Sequence, residues 1–217
     1  MPSKAEYFDA LRVGDLSLVR SMIESDPSLV DARDIHGSHA IQVACYARQL
    51  AMGEFLAARG AKHDMWTASV LGHEAVVRGW LNEFPGVVND ASMDGFTPLG
   101  LAAMLGHGPT VDTLLQYRAD PNRPGPALCG ARPVHMAVLS GNSRILLSLV
   151  RNGAQLAGTT SDGATALHWA AYAGHSGLVH ALLSLGAPKD VLNKRGQSAL
   201  DLAQAAGKRD VVPLLAA

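Results

Sequence analysis

One small residue recurs along this chain at nearly fixed intervals. The slot is filled by Gly14, Arg48, Gly72, Gly106, Gly141, Gly174 and Gly207. Successive spacings are 34, 24, 34, 35, 33 and 33 residues. A period near 33 leaves few architectures open. A unit that short cannot bury both faces of its own elements, so neighbouring units must stack to make a common core.

The slots around that residue can be read physically. A second glycine (Gly37, Gly95, Gly130, Gly163, Gly196) supplies a turn needing positive φ. Thr97, Thr165 and Ser198 then cap a first helix, and Pro98 and Pro133 stand at its first position. An alanine-rich run lets neighbouring first helices approach closely. The recurring glycine ends that helix in a left-handed conformation. A run such as Val179, Leu182 and Leu183 buries a second helix. At the ends, Ser3 and Glu6 have capping-box spacing. Pro213 should keep the final helix short.

Two repeats depart from this pattern together. AEYFDALRVGD at Ala5 and HDMWTASVLGH at His63 lack the capped tetrad. They carry Phe8 and Trp66 six residues before their glycine, and each ends in an extra P-x-x-V segment, PSLV or PGVV. The third repeat therefore reads as a second first repeat inside the array. It should leave a notch where a hairpin is missing, with Trp66 filling part of that space.

With tetrads such as TPLG at Thr97 and TALH at Thr165, the chain resembles the ankyrin-repeat family, in arrays of bacterial type. The resemblance runs from about Lys4 to Ala217. It implies an all-α solenoid of about seven helix-turn-helix repeats with short hairpin fingers, the first and third lacking the finger. The expected repeats are 3–33, 34–63, 64–91, 92–126, 127–159, 160–192 and 193–217, forming one domain over 3–217.

TALHWAAYAGH places His168 and His175 beside Trp169 and Tyr172, a grouping that invites a metal or catalytic reading. The repeat argues for packing instead. His135 and His168 share one slot, and His73, His107 and His175 share another, so they lie a repeat apart and do not converge as ligands must. The family resemblance gives the tetrad histidine a role tying repeats through backbone hydrogen bonds. No H-E-x-x-H, G-x-S-x-G, C-x-x-C pair or phosphate-binding glycine loop is present. The expectation is no catalysis, no cofactor and no metal. Gly79 beside Trp80 reads as volume compensation in the core. Trp169 is open between the next repeat and the groove.

The net charge of −1 and the lack of a basic run argue against nucleic acid and against a membrane surface. No 18-residue apolar stretch or signal-peptide pattern occurs. Cys45 reads as a buried core residue and Cys129 as a loop thiol. A reduced, cytoplasmic protein, expected as a monomer, follows from these features.

Function then falls to the surface that the resemblance implies for partners, the groove of hairpin tips and first-helix edges. Its slots hold unusually apolar residues: Tyr46, Val70 with Leu71, Met93, Phe96, Met104 with Leu105, Leu139 and Tyr172. The expected partner is another protein, seated around Phe96, Met104 and Leu105 with contributions from Met93, Tyr46, Leu139, Tyr172 and Trp66. The alternative is a regulatory module that acts with a separately encoded enzyme and binds a small ligand in the notch. The longer loop PNRPGPALCGARP is open between recognition and tolerated insertion.

Overall fold

Caps fix where the helices begin. In the computed structural model, which describes residues 3–92, 95–126 and 128–216, Ser3 and Glu6 form a reciprocal capping box. Thr97 Oγ1 accepts from Gly100 N–H at 3.1 Å, and Ser198 Oγ accepts from Asp201 N–H at 3.2 Å. Helix ends follow the repeat as strictly. Gly14, Gly72, Gly106, Gly141 and Gly174 all close first helices in the left-handed region. Arg48 takes the same conformation, at φ 60°, without a glycine's freedom.

The chain forms two compact units, Met1–His73 and Glu74–Ala217. The first holds α1 (Lys4–Val13), α2 (Leu16–Ser25), α3 (Ala40–Tyr46), α4 (Leu50–Ala58) and α5 (Met65–Leu71). Helices α1, α3 and α5 pack in a row, with α2 against α1 and α4 against α3. Tyr7, Leu11, Ile41, Leu56 and Met65 are fully buried there. PSLV forms a 3₁₀ turn, Pro27–Asp31, that buries Val30.

The second unit holds α6 (Glu74–Glu83), α7 (Pro98–Leu105), α8 (Gly108–Gln116), α9 (Pro133–Ser140), α10 (Ser143–Arg151), α11 (Ala166–Ala173), α12 (Ser176–Ser184), α13 (Ala199–Ala205) and α14 (Val212–Ala216). PGVV again forms a 3₁₀ turn, Pro85–Asn89. First helices α7, α9, α11 and α13 form one layer, and second helices α6, α8, α10, α12 and α14 form the other. Leu167, Leu178, Val179 and Leu182 sit in the core between the layers. The final helix is five residues long, with Pro213 in its first turn.

The fold is therefore all-helical, a stack of helix pairs; no β-strand occurs among the described residues. The fingers are tight turns. In each, the first residue's N–H reaches the carbonyl four residues on: Asp34 to Ser38, Ser92 to Phe96, Thr160 to Ala164 and Asn193 to Gln197. Residues 61–64 instead run straight into α5, with no turn. A side-chain ladder links successive repeats. Asp31 accepts from Lys62 N–H, Asn89 from Asp120 N–H and Asn122 from Gln155 N–H, at 2.7–2.8 Å.

Two sequence expectations need correction. Trp80 is not core: it is 37% exposed beside Phe84, and a Cβ on Gly79 would meet nothing within 4 Å, so no volume is being compensated. Val70 and Leu71, expected at the groove surface, are buried. The long loop, which the sequence left open, is held against the fold. Gly125 packs so closely on the preceding finger that a Cβ there would lie 2.6 Å from the Gly95 carbonyl oxygen. Beyond it, Leu128, Cys129 and Gly130 all have positive φ, and the Cys129 carbonyl accepts from Ser161 N–H at 2.7 Å.

Candidate protein-binding surface

The histidines decide first whether any of this is chemistry. The His168 ring caps its own helix: Nδ1 accepts from Thr165 N–H at 3.2 Å. Nε2 therefore carries the proton and donates to the Gln197 carbonyl of the next finger at 3.1 Å. His135 repeats the arrangement, accepting from Arg132 N–H at 3.1 Å and donating to the Ala164 carbonyl at 3.2 Å. Both rings are buried and have both nitrogens engaged with the backbone. Burial, helped by the Arg132 charge, pulls the His135 pKa down to about 4, so the ring is neutral. Trp169 packs edge-on to the His135 ring, centres 5.4 Å apart, so it turns toward the preceding repeat.

The expected partner-binding residues divide between the two compact units. Tyr46 and Trp66 belong to the first. Tyr46, at the end of α3, is 39% exposed, and Trp66, in the first turn of α5, is half-buried. Phe96, Met104, Leu105, Leu139 and Tyr172 belong to the second. Met93 lies outside the described residues.

Within the second unit, helical periodicity puts equivalent residues in register. Met104 and Leu105 end α7, Leu139 and Ser140 end α9, Tyr172 and Ala173 end α11, and Ala205 ends α13. Neighbouring first helices pack side by side, so these ends form one edge. Exposure along it is uneven. Phe96, Met104 and Leu105 are half-buried, whereas Leu139 is 49% and Tyr172 64% exposed. Beside Tyr172 lies a shallow depression of about 430 Å³, lined by Tyr172, Ala173, Leu202, Ala205, Ala206 and Lys208. The Lys208 stem crosses Gly174, where a Cβ would meet it at 2.8 Å.

The sequence slots put Phe96, Met104 and Leu105 at the centre of this surface, with Leu139 and Tyr172 contributing. Exposure depends on the side chains one repeat away, which a single repeat's pattern does not contain. Among the described residues no helix is long and apolar enough to cross a membrane, and no group of three or more His, Cys, Asp or Glu converges as metal ligands.

Comparison with known proteins agrees with this architecture. Mouse ankyrin repeat and SAM domain-containing protein 6 is 34% identical over 94 residues, covering 43% of this chain and 10% of that protein. Mouse inactive serine/threonine-protein kinase TEX14 is 43% identical over 72 residues, covering 33% of this chain and 5% of its own length. The chain thus spans a tenth or less of these relatives. The profile of ankyrin repeats in three copies matches residues 65–160 and 134–217, well over half of the chain. Period, caps, paired helices and this match together place the chain in the ankyrin-repeat family, whose repeats generally serve as protein-binding modules.

Proposed function

We propose that the protein is a non-enzymatic binding module whose protein partner seats on the first-helix edge of the second compact unit. The observation that supports this most is the exposure of Leu139 and Tyr172 at equivalent positions of adjacent repeats. Two large apolar side chains held in water on rigid helices are what a buried anchor pair looks like before its partner arrives. The depression beyond Tyr172 offers room for a large apolar side chain of the partner, with Lys208 at its rim for an acidic group. Phe96, Met104 and Leu105 border this edge as half-buried support. His135 and His168 are not placed for catalysis, since both spend their nitrogens on the backbone.

The test begins with capture of a partner from native cytosol, followed by titration of variants. Tyr172→Ser and Leu139→Ser should each weaken binding more than tenfold, the loss of about 2 kcal/mol typical of an anchor. Their melting temperatures should stay near wild type. Arg144→Ala and Ser184→Ala, exposed on second helices, should bind as wild type does. Normal binding by the first pair with loss in the second would move the site to the opposite face.

A further inference from the structure

A pair of histidines outside that surface carries a separate inference. His63 lies in the turnless segment before α5, and His73 follows the glycine that ends α5. Their rings meet: His73 Nδ1 is 3.2 Å from His63 Nε2, with ring centres 5.2 Å apart and planes at 65°. The outer nitrogens fix the protons. His63 Nδ1 lies 3.0 Å from the Ala61 carbonyl, which can only accept, so this nitrogen bears hydrogen. His73 Nε2 lies 3.1 Å from a Glu54 carboxylate oxygen, so it too bears hydrogen. With neutral rings, both inner nitrogens then present lone pairs to each other. A cation has to stand between them.

We propose that this cation is a divalent transition metal of the zinc class, held by His63 Nε2 and His73 Nδ1. The spacing of the rings fits a metal. A tetrahedral zinc with bonds of about 2.0–2.1 Å sets its ligand nitrogens about 3.3 Å apart and its imidazole centres about 5.2 Å apart. A straight N–H···N bridge of the observed length would set the centres about 5.5 Å apart, given the same ring size. The outer contacts match as well. Metal-bound histidines characteristically donate their other N–H to a backbone carbonyl or a carboxylate, and Ala61 and Glu54 are one of each. His73 is partly exposed, which gives an ion a way in. Among the described residues no group of three or more His, Cys, Asp or Glu gathers here, so water would complete the coordination. The sequence reading expected no metal because histidines that share a slot lie a repeat apart; it did not weigh His63, ten residues before His73.

The test uses the untagged full chain, stripped with chelator, and Zn²⁺ or Co²⁺ alone as the probe. Titration at pH 7.5 should show one saturable equivalent, and Co²⁺ should develop the visible absorption of a tetrahedral nitrogen-ligated site. His63→Gln and His73→Gln should abolish that equivalent. Glu54→Gln, on an exposed carboxylate, should weaken it about 10–100-fold. His180→Gln, an exposed histidine on α12, should leave it unchanged. Melting curves in chelator establish that each variant is folded, and should a histidine variant fail, wild type and Glu54→Gln still decide. A wild type without a stoichiometric site, or binding that survives both histidine substitutions, overturns the proposal. So does a pair that titrates with pH while taking up no metal, which would make the cation a proton.

Discussion

Gln42 Nε2 donates to Asp64 Oδ2 at 2.6 Å, linking α3 to the cap of α5 across a junction that has no finger. The same glutamine accepts from His39 N–H at 2.7 Å. It therefore does what His168 does later in the chain, with a carboxylate standing in for the missing finger carbonyl. Asp64 also accepts from Thr67 N–H at 2.7 Å as the α5 cap. Asp64→Ala should lower unfolding free energy by roughly 1–2 kcal/mol through the lost cap alone. Gln42→Ala should cost a similar amount by leaving partly buried groups unpaired. A double-mutant cycle in urea should give a coupling of at least about 0.5 kcal/mol. Strictly additive losses would show the contact to be without weight.

His135 should make stability fall in mild acid. The folded ring titrates near 4 and the unfolded one near its ordinary 6.5, so the unfolded chain takes up the proton first. Above about pH 6.5 both states are neutral there and the residue adds no slope. Between 6.5 and 4 stability should drop, by on the order of 3 kcal/mol in full. Glutamine already serves in this slot at Gln42, so His135→Gln should fold and flatten the dependence. Urea midpoints at pH 7 and pH 4.5 measure it, and equal pH slopes in the two proteins would exclude His135 as the source.

Tyr7 is fully buried, and its hydroxyl has no hydrogen-bond partner among the described residues, while burial drives its pKa upward. A stranded hydroxyl costs about 1–3 kcal/mol in protein interiors. Tyr7→Phe should therefore stabilise the fold, raising the urea midpoint with an unchanged slope. A loss of stability would mean that the hydroxyl is satisfied.

The two thiols should react very differently. Cys129 is exposed, whereas Cys45 is buried and its pKa is pushed up to about 12, mainly by desolvation. A thiol reagent at pH 8 should label one equivalent quickly and the second only upon unfolding. Cys129→Ser should remove the fast phase. Two fast equivalents would contradict the burial of Cys45.

Residues whose role lies inside one repeat were readable in advance. Thr97 caps, Gly174 terminates and His168 ties because each answers to backbone geometry that recurs every 33 or so residues. Residues defined by a neighbour were not. Trp80 sits in an apolar run, yet its helix buries Val77 and Leu81 and turns Trp80 outward. Val70 shares its slot with the exposed Tyr172, and Leu71 shares its own with the exposed Ala173, yet both end up buried. His63 and His73 meet only because residues 61–64 run straight where other repeats fold a turn. No periodic template contains that encounter.

The histidine ties all point the same way along the chain. His135 gives its hydrogen forward to Ala164, His168 forward to Gln197, and Gln42 forward to Asp64. Each repeat is thus completed by its successor, and the order of repeats is not interchangeable. Gly100 interrupts the sequence of donors. Having no side chain, it offers nothing to the repeat ahead, and that repeat opens with the proline-stiffened loop that packs back on Gly95. A Gly100-type repeat has no such donor to lose, and its tie to the repeat ahead rests instead on Asn122, which accepts from Gln155 N–H.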